Sequence, residues 1–157
     1  MEILKKTLLL NFLKTNKMAK NGNILIVEDD EDDKEILEEI ILSLGITNKI
    51  VWKLNGAEAL SYLCSSNEKM LIIFCDINMP IMNGLELKRL IDADEVLRKK
   101  SIPFIFYTTS ASKNAIEEAY TTLSIQGFFT KENDYHKTKA MVNVVLEYWK
   151  CCVHPNT

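Results

Sequence analysis

The chain has 157 residues, enough for one ordinary domain with a packed core and little more. Hydrophobic residues make up 47% and charged residues 26%, which excludes wholesale disorder. A net charge of -3 from 19 basic and 22 acidic residues gives no global basic excess for nucleic acid, and the nearly apolar stretch Leu8–Leu13, interrupted by Asn11, is like every other apolar run far too short to span a bilayer.

Residues 1–21 are basic, with Lys5, Lys6, Lys14, Lys17 and Lys20 against Glu2. Ile3, Leu4, Leu8, Leu9, Leu10, Phe12 and Leu13 supply apolar surface. The segment reads as an N-terminal extension, unstructured or a short amphipathic helix, with Met18 as an alternative start. Cys64, Cys75, Cys151 and Cys152 do not read as a disulfide scaffold, and no secretory cleavage signature precedes them. Reduced thiols and a cytoplasmic location are expected. Cys151, Cys152 and His154 match no closed zinc site, because adjacent cysteines splay poorly onto one ion.

From residue 23 onward, short apolar runs alternate with helical periodicity. Ile24–Val27 is a buried-strand pattern, followed by Glu28, Asp29 and Asp30. Ile36, Leu37, Ile40, Ile41 and Leu44 recur at helical spacing, and Gly45 stops that helix. Ile50-Val51-Trp52 is the second strand, Asn55-Gly56 a turn, and Ala57, Leu60, Tyr62 and Leu63 a second helix. Leu71–Cys75 is the third strand and ends at Asp76. A loop with Pro80 and Gly84 leads to a helix from about Leu85 to Leu97. The fourth strand, Ile102–Tyr107, ends at Thr108. Ser112 caps a helix with Ala115, Ile116, Ala119 and Tyr120. Gly127 introduces the fifth strand, Phe128-Phe129, which ends at Lys131. The last helix, from about Tyr135 to Cys152, carries Met141, Val144, Val145, Tyr148 and Trp149, and 153–157 form a tail. Five strands alternating with five helices predict an α/β fold, a doubly wound parallel sheet covered on both faces.

Glu28 with Asp29, then Asp76, Thr108 and Lys131 each follow the C-terminal end of a predicted strand. Ligands bind at that edge in open α/β sheets. Carboxylates brought this close repel unless a cation joins them, and hard oxygen ligands favour Mg²⁺. One carboxylate can then act as a nucleophile toward phosphorus, with the cation and a lysine neutralising charge. The remaining acids of the run, Glu31, Asp32, Asp33, Glu35, Glu38 and Glu39, read as a solvated helix start favoured by the helix dipole. An EF-hand loop fails, since Lys34 would stand at its glycine and Ile40 at its bidentate glutamate. His136 and His154 both come late, so no Ser-His-Asp pattern is supported, and no Gly-rich phosphate loop is present. Asp76-Ile77-Asn78 lacks the second acid of phosphatases that use two aspartates spaced by one.

Ile-Leu-Ile-Val-Glu-Asp-Asp (24–30), Cys-Asp-Ile-Asn-Met-Pro-Ile-Met-Asn-Gly-Leu-Glu-Leu (75–87), Ile-Pro-Phe-Ile-Phe-Tyr-Thr-Thr-Ser (102–110) and Lys131 together resemble the receiver domain of two-component response regulators. The resemblance covers about residues 22–152 and implies a flavodoxin-like sheet of order 2-1-3-4-5. It makes Asp76 the phosphoacceptor and Asp29 a direct Mg²⁺ ligand. Glu28 would hold the ion through water or tune the pocket, and Asn78 would offer its backbone carbonyl. Thr108 resembles the switch hydroxyl, and Lys131 the residue that pairs with the phosphoryl group.

Two positions depart from the family. Glu132 follows Lys131 where many receivers have a cis proline, and Phe128 stands where a switching tyrosine often does. The implied function is a phosphorylated switch with no attached output domain, not an enzyme. Its phosphoryl donor would be a sensor histidine kinase or a histidine phosphotransfer protein. A downstream protein would dock on the fourth helix, fifth strand and last helix, around Tyr120, Phe128, Tyr135 and Trp149, although Trp149 also reads as core. No nucleic-acid partner is expected. The alternative is a phosphate-independent interaction module on the same fold.

Overall fold

Alternation along the strands divides the core between two faces. In the computed structural model, which describes residues 21–155, five parallel strands form one sheet: β1 (Asn23–Val27), β2 (Ile50–Lys53), β3 (Met70–Cys75), β4 (Phe104–Thr108) and β5 (Gly127–Thr130). Their order is β2-β1-β3-β4-β5, as the family resemblance implied. All of the expected N-terminal extension except Asn21 lies outside the described residues, as do residues 156–157. Leu25, Val27, Ile73, Cys75, Phe104 and Phe106 belong to the core on one face. Ile24, Ile26, Ile72, Phe74, Ile105 and Tyr107 belong to the other. Both β3 and β4 are buried at every position, as strands covered on both sides must be.

Six helices cover the sheet among the described residues: α1 (Glu31–Ser43), α2 (Gly56–Ser65), α3 (Gly84–Ala93), α4 (Glu95–Lys99), α5 (Lys113–Thr121) and α6 (Tyr135–Cys151). The helices α1 and α6 pack on one face through Leu37, Ile40, Ile41, Val142, Val145 and Leu146. The other face is covered by α2 to α5 through Ala59, Leu63, Leu87, Ile91, Leu97 and Ala119. Each helix starts on a side-chain cap, from Asp30, Asn55, Asn83, Asp94, Ser112 and Asp134 in turn.

The expected count of five helices is corrected at Asp94. The helix predicted to run from about Leu85 to Leu97 is two helices, because the Asp94 carboxylate takes the Leu97 N–H at 2.9 Å while its own N–H closes α3 on the Leu90 carbonyl. In α6 the buried face is Thr138, Val142, Val145 and Leu146, so Val144 and Tyr148 of the predicted stripe face solvent. That stripe is wider than the surface the sheet can cover. Half-buried Trp149 packs against the core, in edge contact with His154, whose Nε2 lies 2.7 Å from the Leu71 carbonyl oxygen. No helix among the described residues is long and apolar enough to cross a membrane.

Candidate functional site

Parallel strands deliver their C-terminal ends to one edge, and Glu28, Asp29, Asp76, Thr108 and Lys131 all sit there. Asp76 is fixed by its neighbours. Its N–H donates to the Val27 carbonyl at 2.9 Å, and its Oδ1 accepts from the Ile77 N–H at 2.7 Å, leaving Oδ2 for the pocket. The loop beyond is tight: the Gly84 N–H donates to the Ile77 carbonyl at 3.0 Å, and a Cβ on Gly84 would collide with the Asp76 carbonyl oxygen. Glycine alone closes this turn. The Asn83–Glu86 capping box then starts α3 directly below it.

Glu28, Asp29 and Asp76 each present a carboxylate oxygen within 4.8 Å of the others, the one such group of three among the described residues. Glu28 and Asp76 are buried while Asp29 is exposed, so the group opens toward solvent on the Asp29 side. A hard oxygen set open to solvent suits Mg²⁺, which keeps several of its waters. Asn78, also in the loop after β3, is exposed; its side-chain amide donates to the Ser110 carbonyl at 2.9 Å and to Thr108 Oγ1 at 3.4 Å. The Thr108 hydroxyl is almost fully buried and donates to the same Ser110 carbonyl at 3.2 Å. Asn78 and Thr108 therefore tie the loops after β3 and β4 together.

Lys131 supplies the positive charge. Its Nζ lies 2.6 Å from Glu28 Oε2, 2.8 Å from Asp33 Oδ2 and 3.7 Å from Asp76 Oδ2, with the Tyr107 ring centroid at 5.7 Å. Burial pulls the ammonium's pKa down, but hydrogen bonds to Asp33 and Glu28 outweigh it, and the net direction is up. Burial pushes Glu28 up to about 7, against the opposing pull of Lys131. The two directions conflict, since Lys131 gains only from an ionised Glu28. Three carboxylates surround the ammonium, so Lys131 is the fixed charge and Glu28 the titratable member of the pair.

Asp33, expected among the solvated acids of the run, instead turns to the pocket and pairs with Lys131, which corrects that expectation. Glu31, Asp32, Glu35 and Glu39 are exposed, whereas Glu38 is partly covered and pairs with Lys34 at 2.6 Å. The Lys131–Glu132 peptide is trans, as is every peptide bond among the described residues. Phe128 sits in an aromatic row, its ring centroid 5.6 Å from Phe106 and 6.4 Å from Tyr120. Beside it lies a hollow of about 490 Å³ lined by Ser110, Ala111, Ile116, Tyr120, Phe128 and Thr130.

Fold and pocket together define a doubly wound α/β domain with an acidic, lysine-bearing site at the carboxyl edge of its sheet. The family model of the response regulator receiver domain matches residues 24–143, and the chain belongs to that family. It is 32% identical over 124 residues to the chemotaxis protein CheY of Pseudomonas aeruginosa, covering 79% of this chain and 95% of that protein. Response regulator RPA3017, in red light signaling of R. palustris, is similar in structure at a TM-score of 0.76 and 25% identity, covering 87% of this chain and 99% of that one. The phosphorylated cyanobacterial phytochrome response regulator RcpA superposes at a TM-score of 0.72 with 25% identity, over 82% of this chain and 94% of that one.

Proposed function

We propose that the chain is a phosphoacceptor in a two-component phosphorelay, with Asp76 as the residue that is phosphorylated. Asp76 Oδ2 attacks the phosphorus of a phosphohistidine on a sensor kinase or phosphotransfer protein. The new P–O bond forms as the P–N bond breaks, and the imidazole leaves with the electron pair. Glu28, Asp29, Asp76 and the Asn78 carbonyl would hold Mg²⁺, which would supply charge neutralisation for the transferred group. Lys131, already in the pocket, turns an ammonium proton toward the phosphoryl oxygens. Thr108 gives up its hydrogen bond to the Ser110 carbonyl and donates to the phosphoryl group instead. That exchange leaves the Ser110 carbonyl to Asn78 alone, loosens the loop over the Phe128 hollow and biases the arrangement of α5 and β5. A protein partner then reads the face of α5, β5 and α6, where Ile116, Tyr120, Val144 and Tyr148 leave apolar surface exposed. The chain assists its own phosphorylation and turns over no substrate, so it is a signalling protein.

The observation that carries this reading is the nucleophile's setting: Asp76 Oδ2 turned into the pocket, with two further carboxylates within 4.8 Å and an ammonium at 3.7 Å. The test is labelling by acetyl phosphate or phosphoramidate with and without Mg²⁺. Labelling should require the ion and disappear in Asp76→Asn. No labelling under any condition would make the chain a phosphate-independent interaction module.

A further inference from the structure

We infer that Asp33 is a positioning residue that holds Lys131 back from Asp76 in the unphosphorylated chain, an inference that rests on the phosphoacceptor reading above. Lys131 Nζ lies within hydrogen-bond reach of two oxygens, Glu28 Oε2 at 2.6 Å and Asp33 Oδ2 at 2.8 Å. Asp76 Oδ2, at 3.7 Å, lies beyond that reach. The ammonium is therefore parked on the loop just after β1 and on α1, one step short of the nucleophile it is expected to serve.

Asp33 is built to do this. It is the third residue of α1, and its N–H is taken by the Asp30 cap at 3.1 Å, which fixes the first helical turn. Leu37, one turn later, is buried against the sheet, so Asp33 continues the inward face of α1 to the rim of the pocket. The lysine side chain is 8% exposed and the Asp33 side chain 37% exposed, so the pair joins a trapped cation to an anion with access to water. Such a bond is breakable. A phosphoryl group on Asp76 brings nearly two negative charges and three strong acceptors, and the lysine must leave Asp33, or share itself, to meet them. Asp33 thus competes with the phosphoryl group for one cation and lowers the pocket's affinity for it.

Beryllofluoride, a phosphoryl mimic, tests this in the full chain with Mg²⁺ present, each variant titrated to saturation and its melting curve checked for folding. Asp33→Asn should bind it about two- to fivefold more tightly, the worth of a half-exposed ion pair. Asp33→Glu, which keeps the charge within reach of Nζ, should stay near wild type. In a Lys131→Ala background the gain from Asp33→Asn should vanish, because the cycle isolates the Asp33–Lys131 coupling. Unchanged affinity in Asp33→Asn would overturn the inference. So would a gain of equal size without Lys131, which would mean that Asp33 acts through its own charge. Acetyl phosphate labelling of the wild type, lost in Asp76→Asn, separates either failure from a failure of the phosphoacceptor reading.

Discussion

Mg²⁺ should stabilise this protein far more above neutral pH than below it, because Glu28 must lose a proton to join the ion. Burial raises that carboxyl from 4.5 to about 7. A folded-state value above the unfolded one means that the folded chain binds the proton more tightly between those limits. In the ion-free protein, Glu28's contribution to stability therefore falls as pH rises through about 4.5 to 7. The ion reverses the trend. Between about pH 8 and pH 6 protonation of one ligand weakens its apparent affinity about tenfold.

Take a Mg²⁺ concentration about ten times Kd at about pH 8. Mass action then adds about 1.4 kcal/mol to the folded state, and the same concentration near pH 6 adds only about 0.4 kcal/mol. For a chain of this size the melting temperature moves about 2–4 °C per kcal/mol, so the ion-induced shift is about 3–6 °C at the higher pH and about 1–2 °C at the lower. Thermal melts at both pH values, with and without Mg²⁺, measure it. Glu28→Gln should flatten the pH dependence and shrink the shift. An equal ion-induced shift at both pH values in the wild type would refute the reasoning, since Glu28 would then be either ionised throughout or no part of the ion's site.

Two further outcomes test the loops around Asp76. Gly84→Ala should destabilise the chain by about 1–3 kcal/mol or more in urea denaturation, because the new Cβ meets the Asp76 carbonyl oxygen, a backbone atom with nowhere to go. Thr108→Ala should still be labelled at Asp76, as it removes neither nucleophile nor carboxylate. Beryllofluoride should nevertheless shift the amide resonances of Thr109, Ser110 and Phe128 in the wild type and leave them nearly still in this variant. Shifts of wild-type size would show that Thr108 only ends a strand.

Much of the fold is legible because buried parallel strands leave a plain trace. Ile24–Val27, Leu71–Cys75 and Phe104–Tyr107 are unbroken apolar runs, each ended by the polar residue that the sheet presents at its edge. Periodicity fails where a side chain overrides it. Leu87 and Ile91, four apart, share a helix face, but Leu97, six residues further on, is out of helical phase with them and reaches the same core only because Asp94 breaks the helix with a single carboxylate. The exposed Val144 and Tyr148 show the opposite error, a helix whose apolar stripe exceeds what the sheet covers. His154 could not be read at all, because its partner is a backbone carbonyl at Leu71, 83 positions away. The strand order came from family resemblance, for nothing in the runs themselves says which strand lies beside which.

Asp33 is the instructive case, because its signal was present and was masked by company. Nine acids between Glu28 and Glu39 look like one solvated surface, and for most of them solvation is the right description. A helix nevertheless sorts its residues by angle, whatever their charge. Leu37, Ile40 and Ile41 mark the side of α1 that meets the sheet. Stepping back four residues from Leu37 gives Asp33, on the same side and one turn nearer the carboxyl edge. An acid on the inward face, at the point where the core ends and the pocket begins, needs a cation. Lys131 is that cation, 98 positions along the chain and 2.8 Å away in space. Exposed acids of the same run, such as Glu31 and Glu35, lie off that stripe, so the helical phase of Leu37 separates the acid that reaches the pocket from those that only meet water.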